Sequence, residues 1–276
     1  MSKSTGEPAS RPPILAAKHV DSPSVFAPES LLREARRQKG LPDARVPGIC
    51  ILDPDGDLVR NLVASQRAVR DRLWACYHTD LHLFSHAGID YGVIGCAVGA
   101  PFAVLVAEQL FASGCRLLVS MTSAGQILPV QDPPYFILID RALRDEGTSY
   151  HYLPPSDYSD ADPALLGLME SAFSQIGASV RRGATWTTDA PFRETNEAVE
   201  ACKAEGILAV EMEAAALYAF SRARRKPLLC FAHVTNRMGQ IDGDFEKGEA
   251  DGTDRSLAVI SAAARRWLES DAPPEP

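Results

Sequence analysis

Residues 45–270 predict a single α/β domain, a twisted and largely parallel sheet with helices on both faces. Three observations predict it. Short apolar runs alternate along the chain with longer runs of helical spacing. The strand-like runs are apolar throughout rather than alternating, as strands covered on both faces are. No internal repeat and no linker composition divides the segment.

The elements follow in order. VPGICIL (46–52) is strand-like, and DLVRNLVASQRAVRDRL (57–73) has helical spacing. YGVIGC (91–96) is a buried strand, and PFAVLVAEQLFASG (101–114) a helix with Pro101 in its first turn and Gly114 as its stop. RLLVSM (116–121) and YFILID (135–140) are strands, ALLGLMESAFSQIG (164–177) a helix, and ASVRRGATWTT (178–188) a strand. ILAV (207–210) leads into the helix EAAALYAFSRARR (213–225), PLLCFAHVT (227–235) is a strand, and DRSLAVISAAARRWLES (254–270) closes the chain as a helix. Residues 1–27, rich in Ser, Pro and charge, and the tail 271–276 are expected to be mobile, which leaves 28–270 as the folded domain.

Composition narrows the function. The net charge of −8 argues against a nucleic-acid polymer as partner, because phosphate backbones are held by clustered Lys and Arg. A small polar substrate fits better. No run approaches membrane-spanning length, and the six cysteines are scattered without a C-x-x-C pair, as buried reduced thiols of a cytoplasmic protein are. His78, His82 and His86 recur every four residues, but their segment has strand and turn character, so surface or subunit-contact histidines are expected there and no metal site.

In open α/β sheets ligands bind beyond the carboxyl ends of the strands, so the residues just after each strand carry the functional signal. GCAVGAP (95–101) is a glycine-flanked turn where backbone N–H groups can approach an anion, although a simple tight turn explains its spacing better. SMTSAGQI (120–127) offers Thr122, Ser123 and the Gly125 backbone to an oxyanion, or forms a loop with local turn bonds. TWTTDAPFRET (185–195) places Phe192 to stack a planar ring and Arg193 to bind a carbonyl or phosphate, against an equally weighted reading as an exposed loop. VEMEAAALYAF (210–220) carries two glutamates into a buried helix. Glu211 reads as electrostatic support for the helix N-terminus. Glu213 would be a costly lone carboxylate unless hydrogen-bonded, and two adjacent sugar hydroxyls would satisfy it, with Met212 lying against the ring.

From about Val46 to Leu268 these motifs, in this order, resemble the nucleoside phosphorylase family, in particular its uridine-phosphorylase-like branch. VEMEAAALYAF followed by HVTNR (233–237) is the most specific piece; GCAVGAP leading into TSAG, and RALRDEGTSYHYLPP (141–155), add to it. The resemblance implies one α/β domain around a distorted mixed sheet flanked by helices, assembled as a dimer, trimer or trimer of dimers. It implies reversible cleavage of a nucleoside N-glycosidic bond with phosphate as co-substrate, giving free base and ribose 1-phosphate, and no cofactor or metal. Glu213, with Glu211 and Met212, would hold the ribose. Arg237 would face a pyrimidine carbonyl and stabilise the leaving base, with Asn236, Phe192, Arg193 and Thr195 completing the base site.

The phosphate end departs from the family. In ILDPDGDLVR (51–60) Asp53 and Pro54 match, but Leu52 stands where a glycine is expected and Gly56 where an arginine is. Ser120 replaces a second arginine. Asp53, Gly99, Thr122 and Ser123 remain as the anion site. Two missing guanidinium groups remove charge-assisted bonds of roughly 1.5–3 kcal/mol each. Hydrolytic nucleosidases of the same family lack these arginines and use water, so a nucleosidase, or a nucleoside-binding protein without catalysis, stands as the alternative.

Overall fold

A computed structural model describes residues 12–16, 18–239 and 242–270. One mixed sheet of ten strands organises the chain. Its first half is the parallel α/β unit that the sequence predicts. β1 (Ile49–Asp53), wholly buried, pairs in parallel with β4 (Ile89–Gly95) and with β5 (Leu117–Gln126). α2 (Asp57–Ala64) follows β1, and α3 (Ala100–Ala112) links β4 to β5.

The second half is less regular. β6 (Tyr135–Asp145) runs parallel to β8 (Val180–Thr188), which runs parallel to the short β9 (Ala209–Glu211). β10 (Leu228–Asn236) pairs antiparallel with β6 and also parallel with β5, while β9 pairs antiparallel with β5. Strands β10, β6, β8, β9 and β5 therefore close into a ring, with β1, β4, β3 (His82–His86) and β2 (Val69–Arg70) as an open wing. Closure removes two exposed edges. It also brings the ends of β5, β9 and β10 together. β7 (Tyr158–Asp160) pairs only with β6.

α6 (Ala214–Arg224) is buried from Ala214 to Ser221, which fits its run of alanines. Its Tyr218 hydroxyl donates to the Ile139 carbonyl at 2.6 Å and accepts the Cys230 N–H at 3.0 Å, tying the helix to β6 and β10. α7 (Thr253–Glu269) buries one face from Thr253 to Trp267.

The structure differs from the expected elements at several points. The helix expected over 57–73 stops at Ala64, because Gln66 takes a left-handed φ of 59° and Val69 then pairs with Leu83 at the sheet edge. The helix expected over 164–177 is limited to α4 (Pro163–Leu168), with turns beyond it. α1 (Pro28–Lys39) and α5 (Asn196–Ala204) are additional. Within the stretch expected to be mobile up to residue 27, Pro13–Leu15 form a 3-10 turn, Lys18 Nζ lies 3.1 Å from His151 Nδ1, and Arg224 reaches the Ser24 hydroxyl at 3.3 Å. The expected mobile tail, 271–276, lies outside the described residues.

His82 and His86 lie on β3 and His78 in the preceding turn, so the three do not share a helix face, and among the described residues no metal-holding cluster forms.

Candidate active site

The site forms where β1, β5, β9 and β10 end. Glu213 is the residue just before α6, and its side chain turns away from that helix. One carboxylate oxygen accepts the Gly99 N–H at 2.7 Å, and the other accepts the Thr122 hydroxyl at 2.9 Å. Gly99 has φ +91°, a conformation that favours glycine, and it caps α3, so its N–H is one of that helix's free donors. Glu213 is 1% exposed. Burial, and then the neighbouring Glu211 charge, push its carboxyl up to about 8. In the ionised form each oxygen has two acceptor positions, so one on each is left unfilled by the protein. Met212, beside it, is half-buried.

Glu211 corrects an expectation. The resemblance implies a ribose role for it, but its carboxylate is fully used inside the protein. One oxygen accepts the Thr185 hydroxyl at 3.1 Å and the Thr187 hydroxyl; the other accepts the N–H groups of Glu213 and Ala214 at 2.7 Å each. Four donors fill its four acceptor positions. It caps α6 and fixes the backbone from which Glu213 projects; burial pushes its carboxyl upward.

The expected anion residues are also present but differently engaged. Asp53 turns inward and accepts the N–H groups of Gly56 at 3.2 Å and Val59 at 2.9 Å, so it holds the entry to α2 rather than an anion. Burial pushes it up to about 7. Ser123 donates its backbone N–H to Asp55 at 2.8 Å. Gly99 and Thr122 serve Glu213. Lys247 and Arg60 both pair with Asp57. Next to these groups lies a chamber of about 20 Å³ bordered by Asp53, Asp55, Ser123, His233, Lys247 and Thr253. Sequence reading missed Asp55, His233 and Lys247. The first follows Pro54 directly, but nothing local shows that it reaches β5.

The base residues lie further out. Arg237 donates to Asp132 at 2.6 Å, and its backbone N–H donates to Asp244 at 2.8 Å. Asn236 is buried and closes its own turn, accepting the Met238 N–H at 2.8 Å and donating to Thr235 Oγ1 at 3.2 Å. A register shift between Val234 and Asn236, opposite Gly125, re-aims this strand end. Phe192 is 99% exposed, so it stacks on nothing here, and Arg193 beside it is exposed too. Thr195 caps α5, accepting the Ala198 N–H at 3.3 Å. That role was readable in Thr195–Asn196–Glu197, a helix-start pattern.

A larger cavity of about 810 Å³, bordered by Arg141, Asp162 and Arg222, lies where β10 begins, at the other end of that strand. We place the pocket for the attacking group at the small chamber, because the strand ends and their converging donors are there; Glu213 and Met212 border neither this chamber nor the larger cavity.

The ringed mixed sheet and the buried acid at the head of α6 define a nucleoside-phosphorylase-type fold. The chain belongs to the phosphorylase superfamily, whose sequence profile matches residues 48–265. It is 28% identical to a guanosine phosphorylase of Halorubrum lacusprofundi over 174 residues, covering 62% of this chain and 68% of that one. It is 28% identical to a uridine phosphorylase of Thermococcus kodakarensis over 178 residues, covering 58% and 64%. The crystal structure of a uridine phosphorylase from Vibrio fischeri superposes with a TM-score of 0.68 at 21% identity, over 83% of this chain and 95% of that one, and so shares the fold. Uridine phosphorylases thus stand among the matches, as the branch resemblance implies, together with enzymes named for purine nucleosides.

Proposed function

We propose that this protein is an enzyme that cleaves the N-glycosidic bond of a nucleoside, with water as the attacking group. Glu213 carries the reading. It is a buried carboxylate fixed by two donors, with one acceptor position left on each oxygen, and this suits the 2′ and 3′ hydroxyls of a ribose. Met212 would lie against the sugar. As the C1′–N bond breaks, the base leaves with the bonding pair and the ribose takes on oxocarbenium character. Water then adds its oxygen to C1′ and releases a proton that ends on the base, so nucleoside plus water gives ribose plus free base.

A pyrimidine nucleoside is the substrate that Thr235–Asn236–Arg237 fits best. Arg237 can stabilise the departing base anion, because its partner Asp132 is 92% exposed and such rim pairs exchange at little cost. We assign Phe192, Arg193 and Thr195 to the base as the family resemblance implies; Phe192 and Arg193 are exposed, and Thr195 also caps α5. Phosphorolysis, with phosphate as co-substrate and ribose 1-phosphate as product, is the second reading. It is favoured by the names of the matched relatives. Water is preferred because the chamber is small and acidic. We also assign the protein to the cytoplasm as a homo-oligomer, on its six unpaired cysteines and the family resemblance respectively. No described helix is long and apolar enough to cross a membrane.

The test is base release from a panel of nucleosides with and without phosphate. Turnover indifferent to phosphate, strongest on pyrimidine ribosides, is the expected result. Strict phosphate dependence would replace hydrolysis by phosphorolysis. Tight nucleoside binding without turnover would make the protein a binder.

A further inference from the structure

Five donors at or near the chamber are claimed by the protein's own carboxylates. Ser123 N–H goes to Asp55 at 2.8 Å, Gly99 N–H and the Thr122 hydroxyl go to Glu213, and Lys247 and Arg60 go to Asp57. An external oxyanion arriving here meets neither a free N–H nor an unpaired cation among these groups. The space that remains, about 20 Å³, has room for a single water, which needs roughly 10–15 Å³, and not for a tetrahedral anion of five heavy atoms.

Two buried polar atoms of residues bordering this space, His233 Nε2 and Thr253 Oγ1, have no partner among the described residues. Buried polar groups of this kind are ordinarily satisfied by protein or ordered water. His233 is kept neutral, since burial pushes it down to about 4, and it can accept or donate to a water. It is held in place by stacking on Phe136 with ring centres 4.5 Å apart. Gly252 packs so closely on its other side that an added Cβ would lie 2.4 Å from His233 Cε1.

We propose that Asp55 is a built-in anion that occupies the Ser123 backbone donor, excludes phosphate from the nucleophile pocket, and reserves the chamber for water. Asp55 is thereby a residue that selects the attacking group, and this role rests on the nucleoside-cleaving reading above. The charge balance agrees with it. Asp53, Asp55, Asp57 and Asp251 border the chamber against Lys247, with Arg60 also on Asp57, so the pocket is acidic and Asp55 adds to its repulsion of an anion. Removing it would free one backbone donor and take away one like charge.

Inorganic phosphate is the probe, and calorimetric titration at pH 7 reads its binding directly, whether or not any nucleoside is turned over. The wild-type protein is expected to show no phosphate binding at millimolar concentration. Asp55→Gly and Asp55→Ala, which both remove the carboxylate and leave no acceptor for the Ser123 N–H, are expected to bind phosphate about tenfold or more tightly than wild type, the gain expected from removing one like charge and freeing one N–H. The alanine variant keeps the test open should the glycine variant fold poorly. Millimolar phosphate binding to wild type would overturn the proposal, and so would two folded variants that bind phosphate no better. Absence of nucleoside turnover in wild type would instead overturn the functional reading, leaving the phosphate titration to judge Asp55 alone.

Discussion

Replacing Glu213 by glutamine keeps the shape of the side chain and removes one carboxylate charge from the proposed ribose seat. The structure sets the cost to folding. Glutamine can present its carbonyl to the Gly99 N–H, now 2.7 Å from Glu213, and its amide to Thr122 Oγ1, now 2.9 Å away. The threonine hydroxyl can accept that amide and turn its proton to the Ser123 carbonyl, which is 3.3 Å distant. No buried donor need be orphaned. The change also relieves repulsion from Glu211, one of the causes that push Glu213 up to about 8. Stability should therefore change by no more than about 1 kcal/mol at neutral pH. Catalysis should suffer more. The amide offers the diol one acceptor where the ionised carboxylate, populated as pH rises toward about 8, offers two, and a hydrogen bond to a charged group contributes about 1.5–3 kcal/mol, or about 10- to 150-fold in rate. We expect kcat/KM on ribosides to fall by that factor while thermal and denaturant midpoints stay close to wild type. A folded Glu213→Gln protein with unchanged kcat/KM would refute the sugar seat. A variant that fails to fold would show that the carboxylate is structural.

The remaining predictions concern the neighbours of that seat. Glu211→Ala strands two hydroxyls and two N–H groups at the start of α6, and should cost about 3–5 kcal/mol in denaturant unfolding, while Glu211→Gln should cost distinctly less; equal small losses would remove the capping role. Stability should fall as pH rises, most steeply between about 6 and 7 and more gently to about 8. Glu213 and Asp53 are raised to about 8 and about 7, so the native state keeps two protons that the unfolded chain has already lost, and each contributes about 1.4 kcal/mol per pH unit until its folded pKa is passed. Below about 6.5 His233 opposes part of this, because its depressed pKa makes the native state refuse a proton that the unfolded chain takes. A denaturant midpoint that is level or rising from pH 6.5 to 8 would contradict the buried acids. Phe192→Ala should leave stability within about 0.5 kcal/mol, since the ring is 99% exposed, yet raise KM severalfold if it stacks a bound base; an unchanged KM would remove it from the site.

Sequence was informative where function and folding leave a local trace. The apolar strands β1, β4, β5, β6 and β10 announce themselves, because strands covered on both faces carry almost no polar residues. Glu213 stood out because a carboxylate at the mouth of an all-apolar helix must be paired with something. α1 and α5 were missed although α5 carries a cap signature, and α2 was drawn too long because a left-handed Gln66 has no compositional mark. Asp55 had no local signal at all; its importance comes from Ser123, 68 positions away, reached across the β1–β5 pairing.

Taken alone, the chain of residues determined the alternation of strands and helices, the family likeness and the presence of an acid that must find partners in the interior. Periodicity and burial are properties of neighbours in sequence, so they can be read along a line. The ring closed by β5 and β10, the division of labour between Glu211 as cap and Glu213 as seat, and the turning of the anion pocket over to Asp55 were decided only in three dimensions. Each depends on which donor lies within about 3 Å of which acceptor, and that distance is set by packing between segments far apart in the chain.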